Sequence, residues 1–233
     1  MDAQELAIKD YLIAQIDNGT YATTEPLPSD YQLVEQFGVP RMKVRNVYAL
    51  LEQLGYIYAR KGIGRFICAK KQLLDMVLSG DVSFSEKMKA QAKQYYSVVT
   101  RAEVVRHEHA IFQKSYVTAQ NLYLVERLRF VDEVPAALHR SYILLEHVPE
   151  VQERERVLSS IHSFYRELGI EQFHSTFSKL DILVPDEEIR HLLQSQLLVP
   201  IMKLESDNWD SATNRQLEYT EIFYRTDRFQ FQF

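Results

Sequence analysis

The feature that most constrains this chain is a run of three helical patterns near its beginning. In the first pattern, apolar residues recur at helical spacing, at Ile8, Leu12 and Ile16. Ser29, with Gln32 three residues later, is a capping-box pattern that opens a second, shorter helix, which Gly38 ends. A third helix is predicted from about Pro40, with a 3.6-residue period at Val44, Val47, Tyr48, Leu51 and Leu54.

A turn that contains two glycines follows the third helix and lies between two strand patterns. Residues 56–60 and 65–68 are the strand candidates, and Lys61-Gly62-Ile63-Gly64 forms the turn. Two helices joined at Gly38 have the order of a helix-turn-helix. With the hairpin as its wing, the first third of the chain is predicted to be a winged helix-turn-helix.

Charge is distributed unevenly along the 233 residues. The net charge is −5, yet residues 40–71 carry eight basic residues and a single acid, Glu52. Positive charge concentrated in one folded segment is typical of polyanion binding. Basic residues at the start of the third helix would enter the major groove, and those of the wing would meet the backbone or the minor groove. The alternative interpretation is a solvated basic face.

The same segment resembles the DNA-binding domain of GntR-type bacterial regulators over about residues 5–69. The resemblance rests on Leu27-Pro28-Ser29, Gln36-Phe37-Gly38-Val39, Val44-Arg45, Gly55-Tyr56-Ile57 and residues 62–67. It implies operator contacts from Arg41 and Arg45 and from the wing residues Lys61 and Gly62. Resemblance and charge together define the predicted DNA-binding set: Tyr31, Arg41, Met42, Lys43, Arg45, Arg60, Lys61, Gly62 and Arg65.

Four residues depart from the usual GntR pattern. Pro40 stands where Ser or Thr is usual, Met42 and Arg65 where Thr is usual, and Tyr31 where Arg is usual. Pro40 and Met42 lack the hydroxyl that would donate a hydrogen bond, so part of the usual contact set is missing. We therefore expect an atypical operator, with Arg65 replacing one phosphate contact.

Residues 83–233 have the pattern of an α+β domain. Helices are predicted from Ser83 to about Lys93 and over residues 157–168 and 186–193. Strands are predicted over residues 97–106, 122–130, 136–144, 176–184, 201–205, 216–225 and 229–233, with a polar loop at 206–214. This order predicts an antiparallel sheet with helices on one face.

Strand parity places several polar side chains together. Arg127 and Arg129 are two residues apart and project from one face of a strand, as Glu218 and Tyr224 do on a later strand. Two arginines without a neighbouring acid suit a bound anion. The capped helix start at residues 83–85 is predicted to be a second anion-binding element. The alternative is that the arginines form surface ion pairs and Tyr224 is a core residue.

Residues 83–233 also resemble the UTRA effector domain of the HutC branch of GntR regulators. The resemblance rests on residues 83–86, 124–129, 139–142, 200–204 and 217–229. It implies a fold similar to chorismate lyase and dimerisation through this domain. In sugar-phosphate-sensing members, the residues that match Glu218 and Tyr224 meet the sugar. The residues that meet the phosphate match Ser83, Phe84, Ser85, Arg127, Arg129 and Ser160.

Neither catalysis nor a metal or cofactor is predicted. The chain has no Gly-x-Ser-x-Gly elbow, no P-loop and no His-Glu-x-x-His motif. A single cysteine, Cys68, excludes an internal disulfide and a Cys-based zinc finger. His107 and His109 could present two imidazoles to a metal, but a third ligand is not evident. Without a signal-peptide pattern or an apolar run of membrane length, we expect a cytoplasmic protein with no membrane partner.

The combined expectation is an α+β transcription repressor. Residues 1–70 would form the DNA-binding domain, 71–82 a linker that acts as the hinge, and 83–233 the effector-binding and dimerisation domain. A homodimer would bind a palindromic double-stranded DNA operator, controlled by a small anionic effector, either a sugar phosphate or a carboxylate. Two alternatives remain: a DNA-binding dimer whose C-terminal domain only dimerises, and a lyase-like enzyme suggested by fold analogy alone.

Overall fold

The computed structural model describes residues 1–68, 73–77, 83–153, 158 and 160–232, which divide into two compact units. The first unit is Met1–Gln72 with the later segment Ser195–Val199, and the second is Leu73–Gln194 with Pro200–Phe233. No helix in these described ranges is long and apolar enough to cross a membrane.

The first unit is the predicted winged helix-turn-helix. Its elements are α1 (Ala3–Asp17), α2 (Asp30–Phe37), α3 (Arg41–Gln53) and an antiparallel hairpin of β1 (Ile57–Arg60) and β2 (Gly64–Ile67). The Ser29–Gln32 capping box opens α2, and Gly38 ends it in the left-handed conformation with φ 61°. The three helices bury one core that includes Leu12, Leu33, Val44 and Leu51.

Most of the second unit is an antiparallel sheet of β4 (Tyr95–Val104), β5 (Leu122–Val131), β6 (Val134–Leu144), β7 (Phe173–His174), β8 (Ser178–Leu183), β9 (Ile201–Asp210) and β10 (Arg215–Arg225). The strand order is β4-β5-β6-β10-β9, and both β7 and β8 pair with β9. The helices are α4 (Phe84–Ala90), α5 (Ile161–Glu167) and α6 (Glu187–Leu193), with 3-10 turns at Ala110–Gln113 and Pro149–Glu153. The fold is the predicted antiparallel α+β domain.

A short parallel pair of strands lies where the sequence predicts only a linker and a terminal strand. β3 (Leu74–Val77) pairs with β11 (Phe229–Gln232), 155 residues later in the chain. Leu74 and Met76 are buried in a core cluster with Phe84, Met88 and Phe229, so this part of the segment 71–82 belongs to the folded second unit. Residues 71–72 and 78–82 of the predicted hinge lie outside the described residues.

Two further expectations about this domain are corrected. The polar stretch 206–210 is the end of strand β9 and not a loop, because Ser206 and Asn208 face a polar cavity while remaining paired with β10. Helices pack on both faces of the sheet and not on one. Phe164 of α5 packs with Val125, whereas Leu193 of α6 packs with Leu128, on the opposite face of β5.

Candidate functional site

The predicted DNA-binding residues lie in three parts of the first unit. They occupy α2, the first turns of α3 and the β1–β2 hairpin. Seven of them are exposed, while Lys43 and Arg65 are partly buried: the exposed residues are Tyr31, Arg41, Met42, Arg45, Arg60, Lys61 and Gly62. The tertiary structure therefore presents the first turns of α3 and the wing tip to solvent, as DNA contact requires.

Arg41 and Arg65 are both held by the carboxylate of Asp30, the first residue of α2. The Nε of Arg41 lies 3.1 Å from Oδ2, and the Nη1 of Arg65 lies 2.7 Å from Oδ1. Arg41 also stacks on the ring of Tyr31, with its Cζ 4.7 Å from the ring centroid, and donates to the Tyr31 hydroxyl at 3.3 Å. We refer to Asp30, Arg41 and Arg65 as the Asp30 bridge.

Lys43 is paired with the beginning of α1. Its Nζ lies 2.7 Å from a carboxylate oxygen of Asp2, and it donates to Gln4 at 2.5 Å. The hydrogen bond from Lys43 is the main reason that the pKa of Asp2 is lowered. Asn46 donates to Glu5 at 2.8 Å, so two polar residues of α3 anchor α1.

The wing carries its basic residues in two different settings. Arg60 lies against its own hairpin, with its Cζ 4.9 Å from the ring centroid of Phe66 and 5.5 Å from that of Tyr58. Lys61 and Gly62 are exposed in the turn, and Gly62 adopts φ 77°, which favours glycine. The wing tip is thus a basic turn that can approach a phosphate backbone closely.

The second unit contains a cavity of about 120 Å³ on one face of the sheet. All the predicted effector-binding residues line it: Ser83, Phe84, Ser85, Arg127, Arg129, Ser160, Glu218 and Tyr224. The pairings of β5 with β6 and of β6 with β10 bring the strand residues of this set to one face. Residues from four separate parts of the sequence therefore converge on one space.

Arg127 and Arg129 are the buried cations of this cavity. Arg127 is 1% exposed and donates to Ser141 at 2.9 Å, and Arg129 is 4% exposed and donates to Ser97 at 3.4 Å. The Nε of each arginine forms no hydrogen bond to any residue in the described ranges. Burial lowers the pKa of Arg127 to about 10 and, with the repulsion of Arg127, that of Arg129 to about 9. Both remain protonated near neutral pH.

Three histidines that the sequence did not single out as site residues also line the cavity: His139, His162 and His174. His139 lies opposite Arg127 in the β5–β6 pairing, and His162 is in the first turn of α5. Burial, followed by the charge of Arg127, keeps the pKa of His139 well below its usual value and lowers that of His162 to about 4. Both imidazoles are therefore neutral near pH 7.

The opposite part of the cavity carries acceptors. Glu218 is 2% exposed, and Asn208 donates to its Oε1 at 3.3 Å, while its Oε2 has no partner within the part of the chain that the structure describes. Burial raises the pKa of the Glu218 carboxyl and raises that of the Tyr224 hydroxyl to about 12. Polar groups from β9 and β10, Ser206 and Thr220, complete this part of the lining.

The predicted serines take part in helix capping. Ser83 caps α4 in a reciprocal capping box with Glu86, and Ser160 caps α5 by accepting a hydrogen bond from the Ser163 backbone at 3.3 Å. Their hydroxyl oxygens are therefore already engaged as acceptors, which leaves the hydroxyl protons available to an anion. Ser85 and Phe84 lie in the first turn of α4, and the Cζ of Arg129 lies 4.6 Å from the centroid of the Phe84 ring.

The missed residues that lie on strands share one signal. His139 lies on the same strand face as Ser141, and Ser206 and Asn208 alternate along β9 and line the cavity. Period-2 alternation of polar residues on strands that neighbour Arg127 and Glu218 could have identified them. Within the described ranges, no group of three or more His, Cys, Asp or Glu side chains could hold a metal ion. His109 instead caps the Ala110–Gln113 turn.

Comparison with known proteins assigns the two units. Residues 4–67 match the gntR family of bacterial regulatory proteins, and residues 90–230 match the UTRA domain. The transcriptional repressor NagR of Bacillus subtilis is 26% identical over 96% of this chain and 91% of its own length. The mannosyl-D-glycerate transport/metabolism system repressor MngR of Escherichia coli is 25% identical over 96% of this chain and 92% of its own.

A solved structure shows the same fold. The crystal structure of PhnF from Mycobacterium smegmatis covers 96% of each chain with a TM-score of 0.59 at 23% identity. The UTRA match alone spans more than half of the present chain, and it follows a gntR match in the order of full-length regulators. The chain is therefore a member of the gntR family of bacterial transcription regulators that carries a C-terminal UTRA domain, and not an enzyme.

Proposed function

We propose that this regulator is a repressor that releases its operator when a small anionic metabolite, a sugar phosphate, occupies the cavity of the second unit. It would act in the cytoplasm as a homodimer. A dimer of winged helix-turn-helix domains presents two copies of α3 to two half-sites, so its operator would be palindromic.

One observation carries the effector assignment: Arg127 and Arg129 are buried side by side, and neither is ion-paired with a described carboxylate. Two guanidinium groups without an ion-paired carboxylate in a protein interior are costly. An anion with several acceptor oxygens would satisfy the unpartnered Nε–H groups of both arginines and recover much of that cost. The arrangement thus supports an anionic ligand.

The rest of the cavity supports a ligand with hydroxyl groups. The unpartnered oxygen of Glu218 accepts hydrogen bonds, and Ser206, Thr220 and Asn208 line the same region. A sugar offers donors and acceptors of this kind at several positions. The relative MngR is named as the repressor of a system for mannosyl-D-glycerate, which is a sugar derivative.

The effector can regulate DNA binding only through different affinities for two arrangements of the dimer. Ligand in the cavity would favour an arrangement in which the two α3 helices no longer fit the spacing of the half-sites. The coupling is reciprocal, so operator DNA would weaken effector binding by the same factor.

A thermal-shift titration tests the proposal. The purified chain would be titrated with glucose 6-phosphate, glucosamine 6-phosphate, galactose 6-phosphate and citrate. A ligand at 100 times its Kd stabilises the folded state by about 2.7 kcal/mol, which is several degrees for a protein of this size. Release of a labelled operator duplex by the same compound, followed by fluorescence anisotropy, links binding to regulation.

Arg129→Ala should remove the shift and the DNA release while leaving operator affinity unchanged. Arg106→Ala is the matched control, because Arg106 is exposed and does not line the cavity. A full shift in Arg129→Ala would reject the cavity as the effector site. No shift with any phosphate or carboxylate would favour the hypothesis that the second unit only dimerises.

A further inference from the structure

The Asp30 bridge joins the wing to the first turn of α3. Asp30 is at the start of α2, Arg41 is the first residue of α3, and Arg65 is on strand β2 of the wing. The side chain of Asp30 is 9% exposed, and each of its two oxygens accepts from one arginine. One carboxylate therefore fixes two elements that must meet the same DNA.

Arg65 makes more contacts within the protein than we expect of an arginine that binds a phosphate. Its Cζ lies 4.2 Å from the ring centroid of Tyr48, and its Nε lies 3.5 Å from an oxygen of Glu52. Its backbone carbonyl accepts from Leu27 at 2.7 Å. The side chain is 27% exposed, against 52% for Arg41. The surroundings of Arg65 are those of a structural clamp between wing and helices.

The described contacts of the Arg41 side chain are with Asp30 and Tyr31. Its Nε donates to Asp30 and its Nη1 donates to the Tyr31 hydroxyl. A guanidinium has five N–H donors in a rigid plane, so both protons on Nη2 and one on Nη1 remain. These protons lie at the terminal end of the guanidinium, which can donate two parallel hydrogen bonds to the O6 and N7 acceptors of guanine in the major groove.

We propose that Asp30 is a positioning residue for operator recognition: it orients Arg41 for end-on contact with a base and uses Arg65 to lock the wing, so that Arg65 makes no phosphate contact. This replaces the expectation from sequence that Arg65 substitutes for a phosphate contact. The inference concerns the first unit and does not depend on the identity of the effector.

The first test measures sequence selectivity. The probe is the duplex that the wild-type chain selects from a randomised library, compared with a scrambled duplex of equal length. Asp30→Asn should weaken binding to the selected duplex by about ten- to a hundredfold, because a freely rotating Arg41 reads its base poorly. Binding to the scrambled duplex should be unchanged or tighter, since one negative charge has been removed.

A merely structural role for Asp30 would lower both affinities together. The selected duplex is therefore also scanned with single base-pair substitutions. The position whose preference is lost in Arg41→Ala should be the one lost in Asp30→Asn, and the double variant should show no further loss. Asp30→Glu should restore part of the preference. Glu35→Gln, an exposed acid on the same helix, is the control and should behave as wild type.

The second test measures the salt dependence of binding and does not require Asp30→Asn to fold. Each phosphate contact contributes about 0.9 to the slope of log affinity against log salt concentration. Lys61→Gln, at the exposed wing tip, should lower the slope by about this amount. Arg65→Gln should weaken DNA binding but leave the slope of log affinity against log salt concentration unchanged.

Besides an equal loss of affinity for both duplexes, three results would overturn the proposal. One is a fall in the salt slope of Arg65→Gln equal to that of Lys61→Gln, which would make Arg65 a phosphate contact. Another is a loss of preference in Asp30→Asn at a base pair different from that of Arg41→Ala, which would make Asp30 a base contact itself. The third is unchanged selectivity in a folded Asp30→Asn variant.

Discussion

Arg129 donates a hydrogen bond to the Nδ1 of His139 at 3.0 Å. Since a guanidinium can only donate, Nδ1 must be the deprotonated nitrogen, and the neutral imidazole carries its proton on Nε2. That Nε2 forms no hydrogen bond with any described residue, so it is a further donor without a partner. The neutral His139 therefore positions Arg129 without compensating its positive charge, which stays available to bind an anionic ligand.

This relationship predicts that Arg129 costs stability in the ligand-free protein. Arg129→Leu should raise the free energy of unfolding of the second unit by about 1–2 kcal/mol, because a desolvated and unpaired charge is replaced by apolar volume. Differential scanning calorimetry without ligand measures the change. An unchanged or lower stability would mean that the Arg129 charge is compensated inside the protein.

Arg225 provides the matched opposite case. It is 4% exposed but paired with Asp227, with Nε and Nη2 at 2.9 and 2.7 Å from the carboxylate, and it donates to the Leu193 carbonyl at 2.9 Å. Arg225→Leu should lower stability by about 1–3 kcal/mol, because it leaves the partly exposed Asp227 carboxylate and the Leu193 carbonyl without their donor. The same calorimetry should therefore give opposite signs for two buried arginines of one sheet.

His162 predicts a loss of stability in mild acid. Its pKa is lowered from 6.5 to about 4 in the folded protein, so below pH 6.5 the unfolded chain binds a proton that the native chain does not. Stability therefore falls as the pH drops from 6.5 to about 4, by on the order of 2 kcal/mol after allowance for the partial exposure of the ring. Urea unfolding at several pH values should show this slope, and His162→Gln should reduce it to the part that His139 contributes. His191→Gln, on the surface, is the control.

Glu221 predicts a second, more acidic transition. Burial alone would raise its pKa, but hydrogen bonds from Lys114 at 2.6 Å and contact with Lys203 at 2.8 Å lower it from 4.5 to about 2. Its contribution to stability is complete above pH 4.5 and is lost as the pH falls toward 2, by about 3 kcal/mol. Glu221→Gln should reduce the dependence in this window, where Glu126 and Asp207 also contribute, whereas the exposed Glu150→Gln should retain it in full.

We predict that substitution of Arg45 lowers operator affinity and leaves the fold intact. It is exposed near the start of α3 and has no side-chain partner in the described ranges. Arg45→Ala should weaken binding to the selected operator duplex by about 1–3 kcal/mol if the side chain reads a base. Fluorescence anisotropy titration measures it, with Arg106→Ala as the control. Unchanged operator affinity would remove Arg45 from the contact set.

The winged helix-turn-helix could be predicted from the sequence because its signals are local. The Ser29–Gln32 box, the left-handed Gly38 and the period from Val44 to Leu54 each act within a few residues. Strand parity was equally informative: it placed Arg127 with Arg129 and Glu218 with Tyr224 on common faces, and the structure puts all four on one cavity.

What the sequence alone determined is therefore the identity and period of most elements and the face of each side chain, since backbone geometry sets these within one helix or strand. Only the tertiary structure decided which faces meet. The pairing of β3 with β11 joins segments 155 residues apart. Ser206 and Asn208 have the polar character of loop residues, and only the structure shows that they lie on a strand and line a polar cavity. Only the tertiary structure likewise shows which charged groups are partners. Asp30, Arg41 and Arg65 are separated in the chain but joined by hydrogen bonds, and the contact of His139 with Arg129 could not be read from the sequence. Long-range pairing depends on the packing of the whole domain, which no local pattern encodes.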